Sequence, residues 1–355
     1  MSAKRKIYKS GFLHICQKTA DNGILFYNVA DILVFYTVIS VKSIAFQVEI
    51  YAIDFMFNHL HIGCLCRIAK RVAGLMNSST SVFARLYNKR YNLHGQLFKK
   101  PFNSSPKINE TRIRDCLFYI WNNPKEKRAA EMAEDYRWNF LRYIESDHPY
   151  SDPIDMTSAS ENLLSLIRKV ETKRRAGEYL DYLFFDEAFK SLNSVETQQL
   201  IDHIIVSYDV IRHDVLLEMF GSYQTLLTAA NAVSGNEYGM QDDFDDEDYR
   251  RYRKMIKIVR REGIDLDHER FCKGFFDGKE ELLDRLKRIF RYEAGASDYE
   301  TAKFLHLLLT LETVSFGSLP KDTNASLDIL RQKGEGCGHL PRHPSAKRRR
   351  IWVLP

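Results

Sequence analysis

A mostly apolar run at positions 46–66, FQVEIYAIDFMFNHLHIGCLC, limits the fold of this chain more than any other segment. The run is too long for a single strand, since strands in globular proteins usually have about 3 to 10 residues. We therefore interpret it as two strands that meet around Phe57 and Asn58. The early part of the chain is accordingly predicted to be built on a sheet.

The segments on either side of this strand pair alternate between helix and strand patterns. In chain order they are strand-like residues 12–19, helical residues 28–41, the strand pair, helical residues 68–91, strand-like residues 95–102 and helical residues 109–122. Residues 28–41 also fit a strand, and the last helix should stop before Pro124. The order β-α-β-β-α-β with an added helix is that of a split βαβ, ferredoxin-like antiparallel sheet, which predicts an α+β domain.

The remainder of the chain is predicted to be all-helical. Ser158 with Glu161, and Asn193 with Glu196, are capping boxes that begin two of its helices. After residue 319 the periodicity ends in a tail rich in Gly, Pro and Arg, which we expect to be disordered. The predicted divisions are residues 1–150 (the α+β domain), 151–234 (a helical extension), 235–248 (an acidic linker), 249–319 (helical, with a possible helix-turn-helix) and 320–355 (the basic tail).

Charge is distributed unequally along the chain. Residues 1–150 contain 22 Lys and Arg against 12 Asp and Glu, a net charge of +10, whereas residues 151–355 contain 30 against 35, a net charge of −5. A basic part beside an acidic part predicts that a polyanion binds to the first 150 residues. We do not expect the helical remainder to bind a polyanion through bulk charge.

The sequence argues against a membrane protein or a secreted one. Its most apolar stretch, Ile32–Val41, has ten residues, whereas a membrane-spanning helix needs about 20. The basic N-terminus is not followed by a long apolar core with a cleavage site. Six cysteines without a framework spacing are typical of free thiols in a reducing compartment. We therefore expect a cytoplasmic protein without a membrane partner.

Two histidines in the second strand of the pair have the clearest chemical meaning. Side chains two residues apart on a strand project from the same face, so His59 and His61 project together, while Leu60 and Ile62 face the other side. Two neighbouring imidazoles repel each other when both are protonated, but they are well placed to hold one divalent metal. Two unrelated histidines at a strand end are the alternative, because His-x-His also occurs by chance.

A second candidate group lies in the helix predicted over residues 109–122. Tyr119 and Asn123 are four residues apart, a spacing that puts both on one helix face. A tyrosine hydroxyl can act as a nucleophile, and an amide oxygen can bind a metal ion. A core aromatic residue and a residue that stops the helix are the alternative interpretations of the same pair.

Taken in chain order, these segments resemble the single-tyrosine HUH transposases of small insertion sequences and the REP-associated tyrosine transposases. The resemblance spans residues 12–143, over a third of the chain. Two departures are Phe57, which stands where the family usually has proline, and the long helical part after residue 150. The matching segments are HICQKT (14–19), MFNHLH (56–61), residues 83–91, GQLFK (95–99), YIWNNP (119–124) and residues 136–143.

The resemblance implies a transposase that cuts and rejoins single-stranded or hairpin DNA. It implies Tyr119 as the nucleophile that forms a 5′-phosphotyrosine, and His59, His61 and Asn123 as ligands of Mg²⁺ or Mn²⁺. Mg²⁺ prefers oxygen ligands, whereas a histidine pair favours Zn²⁺ or Mn²⁺, so the metal is taken from the resemblance and not from the ligands. Many relatives act as homodimers, although nothing in this sequence fixes the oligomeric state.

DNA contacts are predicted for basic residues that lie near the histidine pair and alternate with Tyr87, Tyr91 and Phe98. Basic side chains can follow phosphates, and aromatic side chains can stack on unpaired bases. For each single residue, a solvated basic face with its aromatic residues in the core is the alternative. The predicted contacts are Arg85, Lys89, Arg90, Lys99 and Lys100.

Three further interpretations stay open. Residues 293–305 follow an amphipathic helix and resemble a helix-turn-helix, although an ordinary helical hairpin has the same pattern. The chain also fits a catalytically silent DNA-binding protein that uses the same basic surface. A His-x-His metallohydrolase, in which bound hydroxide replaces the tyrosine, is a third function.

Cys64 and Cys66 are expected on the strand face opposite the histidines.

Overall fold

The computed structural model describes residues 11–20, 23–232, 246–264, 276 and 278–305. Over these residues the fold is α+β, with a four-stranded antiparallel sheet and helices on both faces of that sheet. The sheet order is β2-β3-β1-β4, so β2 and β4 are its edges. The strands are β1 (Gly11–Lys18), β2 (Glu49–Met56), β3 (His59–Cys66) and β4 (Asn103–Lys107).

The helices connect and then follow these strands. Helix α1 joins β1 to β2, α2 joins β3 to β4, and α3 follows β4. Short 3-10 helices lie between Ala133 and Ile144, and a π-helical turn, Phe290–Ala294, extends α10. Within the described ranges the α-helices are α1 (Val29–Phe46), α2 (Ala69–Tyr91), α3 (Glu110–Glu126), α4 (Glu161–Arg175), α5 (Tyr182–Ser191), α6 (Ser194–Ser207), α7 (His213–Phe220), α8 (Tyr223–Ala232), α9 (Asp246–Arg261), α10 (Glu280–Ile289) and α11 (Asp298–Phe304).

The predicted strand pair is confirmed, whereas the last predicted strand is displaced. β2 ends at Met56 and β3 begins at His59, so Phe57 and Asn58 form the turn. In the segment 95–102, the contact with the sheet is an isolated bridge between Phe98 and Thr19, and the last strand is β4 instead. Regular pairing with β1 runs over Asn103–Lys107 at the edge of the sheet, where a proline such as Pro106 is tolerated because its N–H is not needed.

The end of α3 also differs from the prediction, because this helix passes through Pro124 and ends at Glu126. Proline removes only its own N–H bond. The carbonyl of Asn123 still accepts from the N–H of Lys127 at 2.9 Å, and that of Pro124 accepts from the N–H of Ala129 at 2.7 Å. Tyr119 and Asn123 therefore belong to the same continuous helix.

The two faces of the sheet have different coverings. α1 and α2 pack against Leu60 and Ile62, and Cys64 and Cys66 lie in the same core, on the face predicted for them. α3 covers the other face. It approaches the sheet closely at Gly63, where an added Cβ would lie 3.2 Å from Cδ1 of Ile120. A Cβ at this position would require the side chains of Phe12 and Ile120 to shift by a few tenths of an ångström, so glycine allows the close approach of α3.

Helix α1 is longer than the ten-residue apolar stretch suggested. By length and mean hydropathy, 1.8 over 18 residues, it could cross a membrane, and 67% of it is buried inside the protein. A core helix passes the same test of length and composition. The hydroxyl of Tyr36 donates to the carbonyl of Ile205 on α6 at 2.9 Å, so α1 and the helical extension share one core.

The predictions for the second half have mixed outcomes. The Asn193–Glu196 capping box is confirmed at the start of α6. Ser158 does not cap α4, because its hydroxyl donates to Asp155, and Ser160 caps that helix instead. Most of the predicted linker 235–248 lies outside the described residues, although α9 already begins at residue 246, and the tail 320–355 lies wholly outside them.

Candidate active site

Three histidines and one carboxylate share the sheet face that α3 covers. In the strand register His61 lies opposite Asp54 on β2, and His14 on β1 lies opposite Gly63. Opposed side chains and those two residues apart on a strand occupy one face, so His14, Asp54, His59 and His61 project together. The ring centroid of His61 lies 4.8 Å from that of His59 and 5.0 Å from that of His14.

Hydrogen bonds fix the orientation of both histidines of the His-x-His pair. Nδ1 of His61 lies 2.9 Å from Nε2 of His14, and both side chains are fully buried. Nδ1 of His59 lies 2.6 Å from the side-chain oxygen of Asn58. Histidines that bind metals are commonly held in this way, by a hydrogen bond at one ring nitrogen while the other nitrogen faces the metal.

Helix α3 places Tyr119 against this histidine group. The ring centroid of Tyr119 lies 5.6 Å from those of both His14 and His61, with the rings steeply inclined. Tyr119 is 7% exposed, among apolar neighbours on α3 that pack on the sheet. Its side chain therefore belongs to the buried polar cluster as well as to the core beside it.

Asn123, one helical turn after Tyr119, adds an amide to the cluster. Its Nδ2 donates to Oδ2 of Asp54 at 3.2 Å. Its Oδ1 is buried and has no hydrogen-bond partner among the residues that the structure describes. A buried polar atom without a partner costs about 1–3 kcal/mol, so this oxygen is a candidate partner for a bound water or a ligand.

Hydrogen bonds from the segment after α3 hold this helix against the sheet. The hydroxyl of Tyr136 donates to the carbonyl of Phe55 on β2 at 2.7 Å. Asn139, which is fully buried, donates to the carbonyls of Trp121 and Ala133 at 3.3 and 2.6 Å. These bonds hold α3 in one position relative to the histidine strands.

The groups of the cluster that could bind a metal are two imidazoles, those of His59 and His61, and one amide, that of Asn123. Among the described residues, no three His, Cys, Asp or Glu side chains are grouped so that they could hold a metal ion. A metal at this position would therefore depend on Oδ1 of Asn123 as the third donor beside His59 and His61. That oxygen is buried and unpartnered, and a mixed nitrogen and oxygen set suits Mn²⁺ better than Mg²⁺.

Comparison with known proteins adds one low similarity. No protein-family model matches this chain, and no curated protein matches it. A solved structure of a REP-associated tyrosine transposase bound to a REP hairpin matches with 13% sequence identity and a TM-score of 0.35. That match covers 45% of this chain and 98% of the other. At this TM-score the likeness does not establish the fold or the family.

The structure brings two of the five predicted DNA contacts toward the histidines. Lys99 and Lys100 are exposed, and the N–H of Lys99 donates at 2.9 Å to the carbonyl of Lys18, the residue opposite His59. They lie in a loop and not in the predicted strand.

The other three predicted contacts lie on α2, which packs against the opposite sheet face from the histidines. Arg85 and Lys89 are exposed there. Arg90 is held by the carboxylate of Asp186, with both guanidinium nitrogens bonded at 2.6 and 2.8 Å.

Tyr87, Tyr91 and Phe98 are buried in the core, which agrees with the alternative interpretation of these aromatic residues.

Sequence reasoning missed His14 and Asp54. His14 could be joined to the other histidines only through the pairing of β1 with β3, which local patterns do not provide. Asp54 did leave a signal, since it is a single carboxylate inside the otherwise apolar stretch AIDFMF. Charged residues are almost never fully buried unless they are paired, so such a residue marks a polar site.

Proposed function

We propose that this protein is a single-tyrosine HUH transposase, which cuts and rejoins single-stranded or hairpin DNA through a 5′-phosphotyrosine intermediate. The observation that carries the proposal is the position of Tyr119. Its ring lies 5.6 Å from those of His14 and His61, and Asn123 follows one turn later on the same helix. The proposed nucleophile, the histidine group and the amide of Asn123 thus meet on one sheet face.

The connectivity of the sheet supports the same proposal. The elements run β-α-β-β-α-β, and the antiparallel order is β2-β3-β1-β4. In a split βαβ, ferredoxin-like sheet each βαβ unit leaves room for a strand of the other unit, which gives this order. His59 and His61 lie on β3, a central strand that is paired on both sides.

The reaction proposed for Tyr119 needs no external energy source. Its hydroxyl oxygen attacks the phosphorus of a phosphodiester, the P–O3′ bond breaks, and the leaving 3′ oxygen takes up a proton while the phenol loses one. The energy of the broken ester is kept in the phosphotyrosine. A 3′-hydroxyl of another strand then reverses the step and releases Tyr119.

The residues around Tyr119 fit a bound divalent cation. His59, His61 and Asn123 would hold it, and when bound it supplies Lewis-acid stabilisation of the negative charge on the phosphate oxygens. His14 and Asn58 hold the rings of His61 and His59 in fixed orientations. Lys99 and Lys100 lie exposed at the His59 end, where they can attract the DNA backbone.

The test is a covalent adduct between protein and DNA. Full-length protein with Mn²⁺ or Mg²⁺ is expected to form an SDS-resistant adduct on a labelled single-stranded hairpin oligonucleotide, and Tyr119→Phe is expected to form none. Tight DNA binding without an adduct, across varied hairpins and both metals, would instead indicate a silent DNA-binding protein. Cleavage that survives Tyr119→Phe would indicate a metallohydrolase.

A further inference from the structure

Helix α9 has a basic exposed face, although the second half of the chain carries a net negative charge. Its apolar face is buried through Tyr252, Met255, Ile258 and Val259. From Arg250 onward the opposite side is exposed and basic, with its cations at spacings of three and four residues that align on one helix face. This basic stripe consists of Arg250, Arg253, Lys254, Lys257, Arg260 and Arg261.

Aromatic contacts hold α9 against the turn that leads into the histidine strand. The ring of Tyr252 lies 5.0 Å from that of Phe57, and 6.1 Å from that of Tyr27 in the loop before α1. Phe57 is followed directly by Asn58 and His59. The basic stripe is therefore carried by a helix that is fixed next to the candidate active site.

Three cations of the stripe are available for a partner. Arg261 is occupied by the carboxylate of Glu293, at 2.8 and 2.9 Å. Lys254, Lys257 and Arg260 are exposed, and no acidic side chain pairs with them within the described part of the chain. They span about two helical turns, roughly 9 Å along the axis.

We propose that the basic stripe of α9 is a second DNA-binding surface, which holds the phosphate backbone of the strand bound at Tyr119. The proposal rests on the proposed function for its ligand. A row of cations on one helix face contacts phosphates and reads no bases, so it holds DNA of any sequence. A lipid surface fits less well, because a membrane-bound amphipathic helix needs its apolar face free, and here that face is buried.

The test measures the salt dependence of DNA binding in the full-length Tyr119→Phe protein, so that no strand is cut. The stripe variant Lys254→Gln/Lys257→Gln/Arg260→Gln is titrated against a labelled hairpin oligonucleotide by fluorescence anisotropy between 50 and 300 mM salt. For single strands each lost phosphate contact lowers the slope of log Kd against log salt by about 0.7. We therefore expect a slope smaller by about 2 and, at 0.1 M salt, an affinity roughly 10- to 100-fold lower.

A control variant separates local contact from bulk charge. Arg168→Gln/Lys190→Gln/Arg175→Gln removes the same three charges from exposed positions on α4 and α5. Its slope is expected to be unchanged, and its affinity is expected to stay within twofold of the parent. Equal losses in both variants, or an unchanged stripe variant, would overturn the proposal.

Two further outcomes are assigned in advance. If the stripe variant loses binding to phosphatidylserine vesicles but keeps its DNA affinity, the stripe is a lipid-binding surface and the proposal is wrong. If the parent binds no DNA, both the stripe and the transposase function are overturned. If DNA binds with the expected slopes but wild-type protein forms no adduct, the function fails and the DNA-binding surface stands.

Discussion

Asp54 is a fully buried carboxylate on β2 that faces His61 across the strand pair. The NH₂ group of Asn123 donates to Oδ2 of Asp54 at 3.2 Å, so the amide nitrogen, and not the oxygen, faces Asp54. The oxygen of Asn123 is thereby turned away from β2. Asp54 thus decides which atom of the amide is presented to a ligand, in the same way that His14 decides the orientation of His61.

We predict that Asp54→Asn lowers the affinity of the full-length protein for Mn²⁺ by about 10- to 100-fold, the usual cost of losing a group that orients a ligand. With an amide at position 54, the side chain of Asn123 can bond in either orientation. Binding is measured by calorimetry on the metal-free protein, with circular dichroism as the check on folding.

A double-mutant cycle shows whether Asp54 acts through Asn123. In the Asn123→Ala background, Asp54→Asn is expected to cause no further loss of Mn²⁺ affinity, because the group that Asp54 orients is gone. Additive losses would mean that the charge of Asp54 acts on the metal directly, and the orienting role would then be wrong.

At the scale of elements, the period of a pattern determined what could be predicted. Alternation along β3 was enough to put His59 and His61 on one face, and the four-residue spacing was enough for Tyr119 and Asn123. β4 could not be placed in this way, because its edge position and its short polar sequence NSSPK give little periodic signal. Nor could His14 be assigned to the site before the strand register was known.

The N-terminus of α1 joins three helices through one buried carboxylate. Asp31 forms a capping box with Asn28 and accepts hydrogen bonds from the hydroxyls of Tyr91 on α2 and Tyr182 on α5. Burial raises the pKa of Asp31 from its ordinary value of 3.8 to about 6, even though these hydrogen bonds lower it. The folded protein therefore holds this proton more tightly than the unfolded chain does.

The sign of the pH dependence follows from that raised pKa. The stabilisation from protonated Asp31 is complete below about pH 4 and is lost as the pH rises through about 6. The difference is about 3 kcal/mol of unfolding free energy. We predict that wild type loses about this much relative to Asp31→Asn between pH 4 and pH 7, measured by urea unfolding.

Asp115→Asn, a neutralising change at an exposed position on α3, is the matched control for this titration. It is expected to follow wild type across the same pH range. Parallel pH profiles for wild type and Asp31→Asn would contradict the raised pKa.

In the whole molecule, the basic residues of the first 150 positions are gathered less closely around the histidines than their net charge of +10 implies. Arg85, Lys89 and Arg90 lie on the face away from the histidines, whereas the basic stripe of α9 belongs to the acidic half of the chain. Net charge is summed over sequence, but a DNA strand meets the charges that the fold collects on one surface. The position of the stripe is set by contacts of Tyr252, among them those with Phe57 and Tyr27.

Phe57 therefore couples the C-terminal helices to the site, and its removal should loosen them selectively. Phe57 is half-buried, and its ring packs on a cluster that includes Tyr252, Met255 and Phe304. We predict that Phe57→Ala speeds amide hydrogen exchange in α9–α11 by about tenfold or more, while exchange in β1 and β3 stays unchanged. A loss of at least about 1.4 kcal/mol of local packing, within the usual cost of truncating a half-buried aromatic ring, would produce this tenfold change.

The control is Phe118→Ala, which truncates a half-buried phenylalanine of α3 that packs on Phe220. It should leave exchange in α9–α11 unchanged. If exchange in α9–α11 were the same in both variants, the helices would be held by other contacts, and the stripe would not depend on this turn for its position.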